Sequence, residues 1–214
     1  MQFFCPIGRP ACRPMGQKNR RPCSQHMGNQ GEQKRFVGRG GLKLQAALEA
    51  FKIDARGLVC ADLGSNIGGF VDCLLQNGAA KVYSVDTSYG TLAWKLRTDP
   101  RVVVMERTNA LHATLPEKVD LATVDVGWTP QRLILPNAVK MLKPGGRIVT
   151  LVKPQYESQE EERVRGVVKP ECLEVVLDRV KSELLKIGIE IRETIESPIL
   201  GEGGNKELLA LVTN

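Results

Sequence analysis

The chain has 214 residues, 42% of them hydrophobic and 25% charged, with 30 Lys and Arg against 24 Asp and Glu and a formal net charge of +6. That is the composition of a single globular domain with a sizeable core, and the length leaves no room for two full domains. Apolar runs such as Ile148–Val152 are too short to span a bilayer as a helix, and no secretory leader is recognisable, so no transmembrane helix is expected and a secreted disulfide scaffold is excluded. The expected location is the cytoplasm, where the six cysteines are thiols.

The charge is uneven. Residues 1–40 hold eight basic side chains, among them Arg9, Arg13, Lys18, Arg20, Arg21 and Lys34, against the single acid Glu32. They carry +7, so the rest of the chain sums to −1. Residues 1–35 are rich in Pro, Gly, Gln and Arg without hydrophobic periodicity and read as a basic, disordered arm before a folded domain over 36–214. Such an arm adds phosphate affinity to a nearly neutral domain; a solvated leader that binds nothing is the alternative.

In chain order, apolar residues Leu42, Leu44, Ala47, Leu48 and Phe51 predict a helix over 41–51. Leu58–Leu63 reads as a buried strand ending in a glycine-rich turn, followed by a helix over Phe70–Gln76 that stops at Asn77-Gly78. Lys81–Asp86 is the second strand, Gly90–Arg97 a short helix and Arg101–Glu106 the third strand. Val119–Asp125 is the fourth strand, Gln131–Leu142 a helix and Gly146–Val152 the fifth strand, after a break at Pro144-Gly-Gly. The polar stretch Gln155–Val168 reads as a mobile loop. Pro170 then opens a helix with an apolar stripe of Leu173, Val176, Leu177, Val180 and Leu184, and Ile189–Glu196 and Glu207–Val212 close the chain as two antiparallel strands. Alternating strands and helices of this kind build an α/β domain with a mainly parallel sheet covered on both faces.

Ligands of open α/β sheets bind beyond the carboxyl ends of the strands, so the residues just after each strand carry the chemistry. After the first comes Asp62-Leu-Gly64-Ser65-Asn-Ile-Gly68-Gly69-Phe70, in which glycines allow a sharp turn and a close approach by a ligand. A carboxylate at Asp62 repels a pyrophosphate and suits the ammonium of an amino-acid-like ligand, which favours S-adenosylmethionine over a dinucleotide. A tight turn with a capping Asp is the alternative. Asp86, after the second strand, has the spacing of an acid that accepts two ribose hydroxyls, and Asn109, after the third, offers an amide to an adenine edge or is a surface turn residue. Asp125 and Lys153 end the fourth and fifth strands. Lys43 and Glu207 complete a possible cluster, though periodicity gives no reason for them to meet.

These motifs together resemble the FtsJ-like ribose 2′-O-methyltransferases, and most closely their TlyA (haemolysin-A) branch. The resemblance runs over about residues 36–213 and rests on Arg39-Gly-Gly-Leu-Lys43-Leu, Asp62–Phe70, Leu92-Ala-Trp-Lys-Leu-Arg97 and Glu106-Arg-Thr-Asn-Ala110. It continues through Leu142-Lys-Pro-Gly-Gly146, Val152-Lys-Pro-Gln155 and Gly204-Asn-Lys-Glu207. It implies a Rossmann-like methyltransferase fold, with a seven-stranded sheet that is mainly parallel and has an antiparallel C-terminal strand. It also implies S-adenosylmethionine as cofactor, held by Asp62, Gly64, Ser65, Gly68, Gly69, Phe70, Asp86, Asn109 and Asp125. RNA, in particular ribosomal RNA or a ribosomal subunit, is the implied partner. The family's Lys-Asp-Lys-Glu tetrad falls on Lys43, Asp125, Lys153 and Glu207, with Lys153 as general base, Lys43 positioning the hydroxyl and the two acids holding the lysines. Arg39, Lys43 and Trp128 are the expected RNA contacts, Trp128 either stacking on a base or packing inward. Two features depart from the branch: a short basic arm replaces its usual RNA-binding module, and Asp125-Val-Gly-Trp128 replaces its Asp-Val-Ser-Phe.

Cys5, Cys12, Cys23 and His26 lack the paired spacing of a zinc site, so no metal is expected. Cys60, Cys73 and Cys172 read as structural thiols. Two competing functions stand beside RNA methylation: a membrane-active haemolysin, which the absence of a spanning segment disfavours, and a non-catalytic RNA-binding protein, which an intact tetrad disfavours.

Overall fold

The seven-stranded sheet has the strand order third, second, first, fourth, fifth, then the last strand, then the one before it. The structure is a computed structural model that describes residues 35–213; the arm, with Cys5, Cys12, Cys23 and His26, lies outside the described residues. In chain order the elements are α1 (Gly40–Ala50), β1 (Val59–Leu63), α2 (Gly69–Gln76), β2 (Lys81–Val85), α3 (Trp94–Arg97), β3 (Val102–Met105), β4 (Val119–Val124), α4 (Gln131–Met141) and β5 (Leu142–Val152). There follow α5 (Pro154–Glu157), β6 (Arg163–Val164), β7 (Val167–Val168), α6 (Leu173–Lys186), β8 (Ile191–Glu196) and β9 (Leu208–Thr213). β1 to β5 run parallel, and β9 inserts antiparallel between β5 and β8.

Side-chain alternation divides the core in two. Cys60, Leu121, Val149, Leu151 and Leu209 face Leu44, Leu48, Val71 and Leu74 of α1 and α2. Ala61, Leu63, Val124, Ile148 and Val212 face Ile134, Leu135, Val180 and Leu184 of α4 and α6 on the other side. No helix among the described residues is long and apolar enough to cross a membrane.

Three local expectations change. Leu42 is exposed although it fits the apolar stripe of α1, and the neighbouring Lys43 is buried instead. The Pro144-Gly-Gly signal is a bulge inside β5 rather than its start: Val119 pairs with Leu142 and Leu121 with Arg147, so the intervening residues loop out, with Gly145 at φ +75°. The stretch 155–168 is not a loop. It forms α5, a 3-10 turn and the β6–β7 hairpin, whose two turn residues Arg165 and Gly166 have φ +51° and +81°, the left-handed pair that suits a two-residue hairpin. Arg179 of α6 clamps this segment through the carboxylate of Glu162.

The chain before α1 is tied to α2. The Val37 N–H donates to Asp72 Oδ2 at 2.8 Å, Gln76 Nε2 donates to the Arg35 carbonyl at 2.9 Å, and the buried Phe36 ring packs where a side chain at Gly41 would stand. These contacts fix α1 and so the direction of Lys43.

Gly64 closes the first strand at φ +92°, and a Cβ there would lie 2.6 Å from the carbonyl oxygen of Asp125. The Gly64→Ala variant therefore meets two costs, about 1–2 kcal/mol for the left-handed backbone and a collision with a main chain that is itself held by the Asp125 N–H to Leu63 carbonyl bond of 2.9 Å. Gly145→Ala, at φ +75° in open space, meets only the first. Urea unfolding should show Gly64→Ala losing clearly more stability than Gly145→Ala; equal losses would mean that the contact with Asp125 relaxes freely.

Candidate active site

The carboxyl ends of β1 to β5 open into a cavity of about 660 Å³. Its wall includes Arg39, Lys43, Asp62, Gly64, Ser65, Gly69, Phe70, Asp86, Asn109, Asp125, Trp128, Lys153 and Glu207. Of the residues expected from sequence to form the site, Gly68 alone is not in this wall. Its φ is +97°, and a Cβ there would sit 2.3 Å from Leu96 Cδ1 and 2.8 Å from Leu92 Cδ1, so it lets α2 start tightly against those two side chains rather than admitting a ligand.

Asp62 is fully buried at the end of β1. Thr123 Oγ1 donates to its Oδ1 at 2.7 Å, while Oδ2 has no hydrogen-bond partner among the described residues. Removal from water pushes its carboxyl up to about 7; the Thr123 hydroxyl and then the Ser65 hydroxyl oppose this, and the nearby charges of Asp125 and Asp86 add to it. A buried acceptor without a donor costs about 1–3 kcal/mol, which a cationic ligand group would relieve.

Asp86 is organised differently. Its Oδ2 accepts the Asn66 N–H and its Oδ1 the Ser88 N–H, both at 2.7 Å. These bonds fix the carboxylate plane and leave each oxygen a second lone pair for a hydroxyl. Asn109 turns its Oδ1 to the Leu111 N–H at 3.0 Å, and its Nδ2 donates to no protein group among the described residues, so the amide presents donors to the cavity.

Two lysine–carboxylate pairs stand in the same wall. Lys43 from α1 donates to the Glu207 carboxylate in a close, buried contact. Lys153, directly after β5, lies 2.6 Å from Asp125 Oδ1 and donates to the Val126 carbonyl at 3.1 Å. The Val126 carbonyl thus accepts one Nζ hydrogen, and the Asp125 carboxylate makes an ionic contact with the same nitrogen.

Trp128 is 84% exposed at the mouth, with φ +58°, a conformation that a bulky side chain adopts at a cost. Exposure of this degree removes the inward-packing alternative. Its ring lies 5.1 Å from that of Tyr156 with a 37° tilt. Arg39 is also exposed at the mouth. Sequence reasoning passed over Tyr156, along with Thr123, the partner of Asp62. The signal for Tyr156 was its place just after the fifth strand, obscured by reading 155–168 as a loop. Burial pushes the Cys60 and Cys73 thiols up to about 12, so neither is a nucleophile at neutral pH. Among the described residues no cluster of His, Cys, Asp and Glu could hold a metal ion.

Comparison with known proteins gives a consistent result. The description "FtsJ-like methyltransferase" fits residues 36–212. A Bacillus subtilis relative named for rRNA methylation, YqxC, is 45% identical over 184 residues, which is 82% of this chain and 64% of the relative. The Mycobacterium tuberculosis 16S/23S rRNA (cytidine-2′-O)-methyltransferase TlyA is 41% identical over 178 residues, 80% of this chain and 66% of that protein. The chain thus spans just under two thirds of these relatives. A solved Streptococcus thermophilus structure that carries the name hemolysin superposes with a TM-score of 0.81 at 40% identity, over 86% of this chain and 69% of that one.

The carboxyl of Asp62 gives the site a pH signature. Its proton is held up to about pH 7 in the fold but only to about 3.8 when the chain unfolds. Between these values the folded state binds more protons, so this group makes stability fall as pH rises, by about 1.4 kcal/mol per pH unit at most. Above about 7 its contribution is constant. Denaturant unfolding at a series of pH values should show Asp62→Asn gaining on the native protein steadily from pH 4 to 7; parallel curves would mean that Asp62 is ionised throughout.

Proposed function

The chain belongs to the FtsJ-like methyltransferase family, and from that premise we propose that it methylates the 2′-hydroxyl of an RNA ribose, at cytidines of ribosomal RNA, with S-adenosylmethionine as donor. The observation that carries this reading is the coincidence in one cavity wall of two lysine–carboxylate pairs with the polar strand ends Asp62, Asp86 and Asn109. The substrate follows that of relatives named as methyltransferases of the cytidine 2′-oxygen in ribosomal RNA.

The residues present fit the cofactor. Asp62 has a buried oxygen in need of a donor, which suits an ammonium. Asp86 has an ordered carboxylate for two ribose hydroxyls, and Asn109 has amide donors for the adenine. When bound, S-adenosylmethionine supplies a methyl group on a sulfonium, already a strong electrophile.

The protein's task is then to make a hydroxyl nucleophilic. In this reading Lys153, hydrogen-bonded to the Val126 carbonyl and in ionic contact with Asp125, takes the 2′-hydroxyl proton at Nζ. Those two contacts keep the nitrogen in place beside the hydroxyl, the positioning that general-base catalysis needs. Lys43, neutralised and held by Glu207, donates to the ribose oxygen as negative charge develops on it. Arg39 and the exposed ring of Trp128 at the mouth meet the phosphate and base of the RNA. The basic arm adds sequence-independent phosphate affinity.

Mass-spectrometric mapping of 2′-O-methyl groups on ribosomal RNA from cells with and without the protein tests the reaction; identical maps would refute it. Lys153→Ala should lower the transfer rate by a factor of about 10²–10⁴ with cofactor affinity nearly unchanged in calorimetry. Lys153→Arg keeps the charge without a proton to give up at working pH and should not restore the rate. An Arg variant as fast as the native protein would make Lys153 an electrostatic post. Removing residues 1–34 deletes five net positive charges and should flatten the salt dependence of RNA binding. An unchanged slope would identify the arm as a passive leader.

A further inference from the structure

A second cavity, of about 430 Å³, shares Trp128 and Tyr156 with the first and is further lined by Gln155, Arg163, Gly166 and Gly203. Tyr156 joins the two sites closely, since its ring centre lies 5.9 Å from Lys153 Nζ and 5.1 Å from the Trp128 ring. The charge of the two walls differs. The first holds three cations and four acids, whereas the second holds one cation, Arg163, and no acid.

Arg163 is half-buried, yet it forms no ion pair among the described residues. The acids of its own segment are spent or turned away. Glu162 is gripped by Arg179, Glu157 accepts the Gln131 N–H at 2.7 Å, and Glu160 and Glu161 are exposed outside the cavity wall. Arg163 Nε and Nη1 donate to the carbonyls of Gln159 at 3.4 Å and Gln155 at 3.2 Å, which fixes the guanidinium plane. Nη2 donates to no protein group among the described residues and is not closed off from solvent. Gln155 adds a second donor. Its side chain is 7% exposed, with Oε1 shut in, and the end of the amide left open is the nitrogen, again without an acceptor among the described residues. A cation half withdrawn from water without a counter-charge is costly, and a bound anion with charge-assisted hydrogen bonds offsets that cost.

We propose that this second cavity is a phosphate subsite, in which Arg163 and Gln155 hold a phosphodiester of the RNA strand beside the nucleotide being methylated. The inference rests on the ribose-methylation reading above. The unesterified oxygens of a phosphodiester only accept, and the two open groups, Arg163 Nη2 and the Gln155 nitrogen, only donate. The first cavity, with its excess of acid, is a poor place for the backbone, so the strand is anchored one aromatic ring away from the chemistry. A contact of this kind sets the register and orientation of the strand and carries no sequence information. Lys153 and Gln155 are two residues apart, and Arg163 holds the Gln155 carbonyl, so the anchor and the general base sit on one short braced segment.

The test measures binding of a labelled cytidine hexanucleotide to the full chain by fluorescence anisotropy over a range of salt. Arg163→Gln should weaken binding by about ten-fold and lower the slope of log affinity against log salt by about 0.7, the value for one single-stranded phosphate. Arg163→Lys should keep the slope while recovering only part of the affinity, because an ammonium lacks the planar fork. Gln155→Met, similar in size but without the donor, should weaken binding by about ten-fold with no change of slope. On a hexanucleotide with uncharged methylphosphonate linkages, the native protein and each variant should bind alike, which a merely structural role for either residue would not produce. S-adenosylmethionine affinity by calorimetry should remain native throughout. A native slope in Arg163→Gln, no binding of the hexanucleotide by the native protein, or an equal loss on the uncharged strand in both Arg163→Gln and Gln155→Met would each overturn the proposal. Loss of inorganic phosphate binding in Arg163→Gln with native hexanucleotide affinity would identify a free-anion site and overturn the assignment to RNA. Hexanucleotide binding that depends on Arg163, in a protein that methylates no RNA, would support the subsite and refute the reaction.

Discussion

A lysine–carboxylate pair taken out of bulk water, Lys43 with Glu207, and a half-buried one beside it, Lys153 with Asp125, set the terms for the rest of the structure. The buried ions give up hydration, which costs several kcal/mol, and only close geometry with the partner offsets it. Removing one member of the buried pair leaves an unpaired charge and typically costs about 3–5 kcal/mol, so the elements that supply them must hold their places. Those elements come from the whole described chain. Lys43 rides on α1, Asp125 follows β4, Lys153 follows β5 and Glu207 precedes β9. The pinning of residues 35–37 to α2 serves this arrangement, because a rotation of α1 would withdraw Lys43 from Glu207.

Sheet topology explains how residues 164 positions apart in the chain come to touch. β9 is antiparallel, so its first residue lies where the parallel strands have their last. Leu208 pairs with Val152, which puts Glu207 and Lys153 on the same edge of the sheet, just beyond adjacent strands. A parallel last strand would have sent Glu207 to the opposite end, away from every other member of the site. The single reversal in strand direction is thus the feature that closes the active-site wall.

The strand ends were legible in the sequence because they combine two signals, a run of buried apolar residues and a polar residue where the run stops. Asp62, Asp86, Asp125 and Lys153 all stand out this way, and all line the cavity. The reach of Lys43 and Glu207 to each other was not legible, since it depends on which strands become neighbours. Only the family resemblance put them together. Leu42 and Lys43 show a related limit. Helical spacing admits both to the buried face, and the choice between them is made by a carboxylate far away in sequence. The segment 155–168 misled for a different reason. Its order comes from the hairpin turn at Arg165-Gly166 and the Arg179–Glu162 contact, neither of which leaves a hydrophobic pattern.

Charge balance in the cavity also bears on the order of binding. Its wall contains three cations, Arg39, Lys43 and Lys153, and four acids, Asp62, Asp86, Asp125 and Glu207. A wall with this charge balance is no strong attractor for a phosphodiester, and near neutrality the balance depends on whether Asp62 is ionised. S-adenosylmethionine carries an ammonium, a sulfonium and a carboxylate, a net positive charge. On the proposed reading, its occupancy makes the acidic wall less negative by one charge and so favours the approach of RNA to the same mouth. On the same reading, methyl transfer moves that positive charge, as the hydroxyl proton, onto Lys153, and the acidic balance returns only when Lys153 gives the proton up. The carboxylates that orient the lysines then weaken the hold on RNA without any change of conformation.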